Sequence, residues 1–513
     1  MKTIRFISII LGSAITLFSC SRFEDMNQSP DKTNKVPSSW IATSVMKGAF
    51  RFQGNQVPKE FYQAANQTNK LICRFAATEN VVQYFYSYSP YGSFDAYLNL
   101  TDLAMMSKYA EGSPQADSFK GLEHFMKAWY GLRMTLAMGD IPYREAGKAA
   151  EGISRPVYDK QADVFAQIIE DFGKAAECFS RGTRFDGDIM YGGDPAKWEK
   201  LSNVMRLKTI QTISRKATSE QKALFADIVS SAKLMESKDD DFKLVYSTDP
   251  NATFPFFDGA VDRTGVGISE LCAETLKTFK DRRLFYFADP APALLADGEL
   301  TESDFDAYVG GPTQLAPEIL AVNAAAGKYS FVNDRYTKFR DGDPLLMVTY
   351  SEQCFIIAEA IEEGWIGGDA RSWYENGVKA QLQHYRDLNA QNDSYLHGMK
   401  IDDVYIASYF TGEAAYKVSG SKTDRLRQVW SQRWLIDYFS GRDEYYWQFI
   451  RTGWPQYPLD PATCMNPEDK TTWPKRWMYP ASEKTTNPDN YQKAIDEQFG
   501  GYDSVNKLPW WQQ

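Results

Sequence analysis

The sequence predicts a mainly α-helical fold, in which helical hairpins carry an irregular, loop-rich remainder. Three observations lead there: a well-punctuated pair of helical patterns over 343–385, amphipathic stretches of the same kind at 119–138, 158–179 and 197–215, and a long segment, 237–343, in which periodicity fades.

Within 343–385, Asp343 is placed to cap a helix and Pro344 to take its first position, where a fixed φ suits the helix and the missing N–H was unpaired anyway. Leu346, Tyr350, Cys354, Ile357, Ala358, Ile361 and Trp365 then recur at a spacing of three and four, which puts them on one face. Gly367 and Gly368 end that helix, and Asp369 caps a second one with Ala370, Trp373, Tyr374, Gly377, Val378, Leu382 and Tyr385 as its buried face. So short a loop leaves the two helices antiparallel, with small residues letting the backbones approach. The expected unit is a helical hairpin of tetratricopeptide type.

At the start of the chain, Lys2 and Arg5 precede an apolar run, Phe6 to Phe18, that is too short to span a bilayer but suits a signal-peptide core. Leu17-Phe18-Ser19-Cys20 follows and resembles a bacterial lipobox, with Phe18 bulkier than usual. Residues 1–19 are therefore expected to be a lipoprotein signal peptide, Cys20 the lipidated residue, and 20–40, interrupted by Pro30 and Pro37, a flexible tether. Beyond residue 20 no stretch of the length needed to span a membrane is both apolar and free of charge, so the chain is expected to be anchored and not to traverse. Residues 41–513 are read as a single domain.

Two helices are expected in 41–80. Segment 81–100 then sets Tyr84, Phe85, Tyr86, Tyr88, Tyr91, Phe94 and Tyr97 among Ser, Pro and Gly, which reads as a loop holding aromatic side chains. The helix at 119–138 stops at Gly139-Asp140-Ile141-Pro142-Tyr143 and is partnered by 158–179, while 197–215, opened by Gly192-Gly193-Asp194-Pro195, is partnered by 221–235. More helix is expected at 427–450, and an irregular tail rich in Trp and Pro at 451–513.

A net charge of −10 argues against nucleic acid as a partner. Of 6 cysteines, those other than Cys20 are an odd number at wide spacings, Cys73, Cys178, Cys272, Cys354 and Cys464, which indicates neither a disulfide framework nor a zinc site. The 3 histidines, His124, His384 and His397, form no ligand pair, and no nucleophile elbow or phosphate-binding loop is present. Gly265-x-Gly267 is only half of a dinucleotide fingerprint. Asp239, Asp240 and Asp241 have oxygen ligands for a structural calcium ion, against which a run of acids is more often a solvated turn. No cofactor is implied, and an enzyme is the last of the readings.

What remains informative is aromatic residues in loops, in a chain with 30 Tyr and 13 Trp. A sugar ring has an apolar C–H face that stacks on Tyr or Trp and a polar rim that Asp, Asn and Arg can bond. On loop composition the candidate ligand-binding residues are Tyr86, Tyr88, Tyr91 and Phe94 for stacking and Asp95 and Asn99 for hydroxyls, with Phe257, Asp258 and Arg263 as a second group.

Several stretches together resemble the SusD/RagB-type outer-membrane nutrient-binding lipoproteins, in particular the SusD-like branch. They are Gly139-Asp140-Ile141-Pro142-Tyr143-Arg144-Glu145-Ala146, Tyr158-Asp159-x-Gln161, and Gly193-Asp194-x-x-Lys197-Trp198-x-Lys200-Leu201-x-Asn203-x-x-Arg206-Leu207. Tyr350-Ser351-Glu352 to Ala358-Glu359-Ala360, Arg451-Thr452-Gly453-Trp454-Pro455, and Pro474-Lys475-Arg476 to Tyr479-Pro480-x-x-Glu483 and Asn487 complete the pattern. Asp281-Arg282-Arg283-Leu284 departs from the family's D-P-R-L at Arg282, and Ile450 replaces an arginine. The resemblance implies about four tetratricopeptide-like hairpins beside an irregular ligand-binding half, on a protein that caps a TonB-dependent β-barrel transporter at the cell surface. It implies capture of an oligosaccharide without catalysis, with a peptide or glycopeptide ligand, or a purely structural surface scaffold, as the alternatives. Several of these motif residues are expected to pin the tail to the hairpins.

Overall fold

The computed structural model describes residues 36–50, 59–75, 81–86, 90–250, 252–257, 265–439 and 444–513. The expected signal peptide, Cys20, most of the tether, Tyr88, Asp258 and Arg263 lie outside the described residues.

Helices dominate, and most of the long ones form one array. Numbered in chain order, its members are α1 (Ser38–Ala49), α2 (Leu100–Ala110), α3 (Ala116–Met138), α4 (Gln161–Arg181), α5 (Pro195–Thr212), α6 (Ser219–Ser231), α7 (Tyr350–Glu362), α8 (Ala370–Asp387) and α9 (Lys422–Leu435). Each of α1 to α5 packs against the next, α6 lies on α5, α5 meets α7, and α7 is flanked by α8 and α9. The expected apolar faces are the buried ones: Val164, Phe165, Ile168, Phe172 and Ala175 of α4 all lie in the core, where each large side chain contributes about 1.5–3 kcal/mol.

Local signals set the helix starts. Asp194 Oδ1 accepts the Ala196 N–H at 3.0 Å with Pro195 at the first position of α5, Thr218 and Gln221 form a reciprocal capping box on α6, and Asp369 Oδ1 accepts the Arg371 N–H on α8 at 3.1 Å. The α7–α8 contact depends on Gly377, where an added Cβ would lie 2.8 Å from the Phe355 ring.

The start of that hairpin differs from the expectation. Leu345–Val348 is a strand, β4, paired antiparallel with Phe242–Leu244, β2, and α7 begins only at Tyr350, capped by Thr349. Asp343 caps nothing and receives both terminal nitrogens of Arg335 at 2.7 Å each. Two physical facts account for this: four consecutive apolar residues all buried suit a short strand covered on both faces, and the Arg335 guanidinium, 2% exposed, requires a counter-charge.

Segment 237–343 is also more regular than its sequence suggests. It holds β2, Val266–Ile268 (β3, paired with Ile72–Arg74, β1) and the helices Glu270–Phe279, Arg283–Phe287 and Pro317–Ala325. Likewise 81–100 is not all loop, since Val81–Tyr84 is a helical turn and Asp95–Asn99 a 3-10 helix. The acidic run is solvated only at exposed Asp239: Asp240 bonds Lys200 at 2.9 Å, and Asp241 accepts the Tyr350 N–H at 2.7 Å, so these two side chains fasten α5 and α7. Among the described residues no three His, Cys, Asp or Glu side chains are grouped to hold a metal ion.

The tail is fastened through the motif residues. Arg451, in a further helix α10 (Glu444–Thr452), clasps Glu359 of α7 at 2.5 and 3.1 Å. Fully buried Arg476 bonds Asp503 and donates to the Met138 carbonyl at 2.8 Å. The Tyr479 hydroxyl donates to the Asp140 carbonyl at 2.6 Å, while Asp140 itself accepts the Gln161 N–H at the start of α4. Among the described residues no helix is long and apolar enough to cross a membrane.

Candidate ligand-binding site

The aromatic segment is held to the tail by backbone pairing. The Gly92 N–H donates to the Met478 carbonyl and the Met478 N–H to the Pro90 carbonyl, both at 2.7 Å. Where the two segments continue opens a recess of about 350 Å³, lined by Tyr91, Gly92, Ser93, Phe94 and Asp95 on one side and Pro480, Ala481, Ser482 and Glu483 on the other.

Tyr91, 39% exposed, presents its ring to solvent. Phe94 is fixed by a parallel Tyr97 ring at 5.9 Å and an edge contact with Tyr158 at 6.1 Å. The Tyr158 hydroxyl donates to Glu483 at 2.6 Å. Burial first, then Glu483, pushes that phenol far above its ordinary value, so it remains a donor. Ser93 Oγ accepts the Asp95 N–H at 2.9 Å, which shapes the turn and leaves the Asp95 carboxylate exposed. The recess thus combines exposed ring surface with two carboxylates and two serine hydroxyls, the complement of a polyol with an apolar face.

A larger cavity of about 700 Å³ lies behind and shares Gly92, Ser93 and Asp95 with the recess. Asn99, whose Nδ2 donates to the Ala96 carbonyl at 3.3 Å, lines this inner space. So does Tyr86, which is no exposed stacking group: it is 2% exposed and lies against Tyr446 at 4.5 Å, nearly parallel, and against Trp477 at 5.7 Å. Aromatic rings gain as much from one another as from a ligand, and loop composition does not separate the two cases. Phe257 lines neither space and is covered by the Arg340 guanidinium at 4.8 Å.

The structure therefore brings Tyr91, Phe94 and Asp95 together and adds a wall, Pro480 to Glu483, that loop composition did not single out. Pro480 and Glu483 do stand in the tail motif, which was the available signal. The histidines are elsewhere: half-buried His384 is pushed down to about 4 by desolvation, His397 sits between Asp289 and Glu302 at 3.2 and 3.0 Å, and His124 faces Asp171 at 3.7 Å. Cys73, Cys178, Cys272, Cys354 and Cys464 are buried free thiols.

A helical array bearing a recess on its connecting segments is the architecture of a helical scaffold protein. A family profile described as SusD-like, starch-binding associating with outer membrane, matches residues 30–480, and the chain belongs to this SusD-like family. Among solved structures it is similar to a SusD homolog from Bacteroides fragilis NCTC 9343, with 32% identity, a TM-score of 0.87, and 93% of this chain and 100% of that one covered. A second SusD homolog of that strain matches at 28% identity and TM-score 0.80, over 93% of this chain and 100% of its own. A chitin-binding SusD homolog from Flavobacterium johnsoniae, 18% identical with a TM-score of 0.70 over 92% of this chain and 98% of its own, shares the fold. No curated protein sequence matches the chain significantly. The family is one of outer-membrane-associated nutrient binding.

Proposed function

We propose that this protein captures an oligosaccharide at the cell surface and passes it, without catalysis, to a TonB-dependent β-barrel transporter. Cys20 carries the lipid anchor after removal of residues 1–19, residues 20–40 give reach, and the tetratricopeptide-like hairpins hold the ligand segments in place. The observation that carries this reading is the recess in which exposed Tyr91 stands beside Phe94, with Asp95 and Glu483 at the rim. A ring face next to paired carboxylates fits a sugar better than it fits an extended peptide, which needs unpaired backbone partners along its length. Chitin binding by a protein of the same fold agrees with a saccharide ligand.

The test is calorimetry of the purified chain against a broad polysaccharide panel, with product sizing alongside. Binding of at least one glycan, with its chain length unchanged, is the expected result. Release of new reducing ends would overturn the non-catalytic role, and binding only to peptides would overturn the saccharide assignment.

A further inference from the structure

A cleft of about 710 Å³ opens where the first turns of α6 meet the ends of α7 and α10, against Trp430 of α9, and it shares no lining residue with the recess. Its charges do not balance. Of its two acids, Glu359 is taken by Arg451, and Glu363, just past α7, by Lys422 at 2.8 Å. Arg215 and Lys222 line the same space, and neither is in an ion pair among the described residues. The Arg215 terminal nitrogens donate to the Gln512 and Arg451 carbonyls at 2.9 and 2.7 Å, neutral acceptors that leave its charge without a counter-ion and its other N–H groups free. The Lys222 ammonium stands over the Trp365 ring, 5.2 Å from its centre, which holds it at the cleft. Glu220, on the same turn of α6, is exposed and lines no part of the cleft. In a chain of net charge −10, this wall is a local reversal of sign.

The rest of the lining narrows the kind of anion. Trp430 is half-buried, and no other aromatic ring packs on it among the described residues. Exposed Ser219, at the first position of α6, adds a hydroxyl. A bare inorganic anion would answer the two cations and leave the indole uncovered, and a neutral sugar would do the reverse. A sugar ring that carries its own carboxylate answers both: its C–H face lies on the indole, and its charge meets the cations in charge-assisted hydrogen bonds, roughly twice as strong as neutral ones. The volume lies in the range of small-molecule sites. The recess, edged by the Asp95 and Glu483 carboxylates, has the opposite sign and disfavours such a ligand.

We propose that this cleft is a second saccharide site, selective for an acidic sugar: a hexuronate carboxylate lies between Arg215 and Lys222, and the sugar ring lies on Trp430. The site uses no residue of the recess and takes a different charge class of glycan.

The probe pair is trigalacturonate and its methyl ester, which keeps the rings and loses the charge, titrated into the full purified chain by calorimetry and tryptophan fluorescence. Trigalacturonate is expected to bind at one site per chain, at least about tenfold tighter than the ester, and to weaken as sodium chloride is raised toward about 1 M. Lys222→Gln should weaken it at least about fivefold. Ala223→Glu, which sets a carboxylate on the same wall at an exposed helical position, should abolish binding while the chain still melts cooperatively. Tyr91→Ala should leave trigalacturonate binding unchanged. Absence of saturable binding, equal affinity for the ester, or unchanged affinity in a folded Ala223→Glu chain would each overturn the proposal. So would displacement by equimolar inorganic sulfate, which would make this a bare anion site, or loss of binding in Tyr91→Ala, which would put the acidic sugar in the recess. Binding of trigalacturonate that depends on Lys222, in a chain that takes no neutral glycan, would uphold this site and remove only the recess.

Discussion

Asp281 and Arg283 are both fully buried, with Arg283 Nη2 2.6 Å from Asp281 Oδ2. The guanidinium also donates to Gln381 at 2.7 Å and Gln432 at 2.6 Å, and Asp281 accepts from the Tyr409 hydroxyl at 2.6 Å. The pair thus ties the Arg283–Phe287 helix to α8 and α9. Removing one partner strands the other charge, and Asp281→Ala is expected to cost about 3–5 kcal/mol. Urea denaturation of the two chains measures this; a loss under about 1 kcal/mol would mean the pair behaves as a solvated one.

Tyr91→Ala should weaken glycan binding by about 1 kcal/mol, close to a fivefold rise in Kd. The residue is 39% exposed, so the chain should still melt cooperatively, with only a small fall in melting temperature. Titration with the tightest glycan of the panel, beside a melting curve, checks both halves, and an unchanged Kd would take Tyr91 out of the site.

Burial pushes the Asp241 carboxyl up from 3.8 to about 7, against the hydrogen bond from Tyr350 that lowers it. An acid whose folded pKa lies above its unfolded one adds stability that is fully present below the unfolded pKa and is lost as pH rises through the folded one. The window is therefore pH 3.8 to about 7. Asp241→Asn keeps an acceptor for the Tyr350 N–H and does not ionise. Its stability relative to wild type should rise with pH across that window, which denaturant titrations at several pH values will show; a constant difference would disprove the link. His384, held down near 4 by desolvation, titrates in both chains and cancels in the comparison.

Gly193 has φ +79°, and an added Cβ would meet the Phe185 carbonyl oxygen at 1.8 Å. Backbone, not a flexible side chain, blocks the space. Gly193→Ala should therefore destabilise by at least about 1–3 kcal/mol, visible as a lower melting temperature, and a neutral effect would show that the turn before α5 can shift.

The parts of this fold that were legible in the sequence were those encoded within a few residues. Asp194-Pro195 and Asp369 each announce a helix start by satisfying N–H groups close by in the chain. Leu345–Val348 was misread because its partner, β2, lies about a hundred residues earlier, and no local pattern separates a four-residue buried strand from a helix entry. The site divides in the same way. Tyr91, Phe94 and Asp95 follow from the composition of their segment, whereas the burial of Tyr86 under Tyr446 and the wall at Pro480 to Glu483 depend on tertiary pairing.

The hydrogen bonds joining Gly92 and Pro90 to Met478 also govern when the recess comes into being. During synthesis the aromatic segment leaves the ribosome early, and its opposite wall emerges only after nearly all of the helical array. No nascent or shortened chain that stops before Met478 can hold the recess, so its two walls come together only once that late segment has been made.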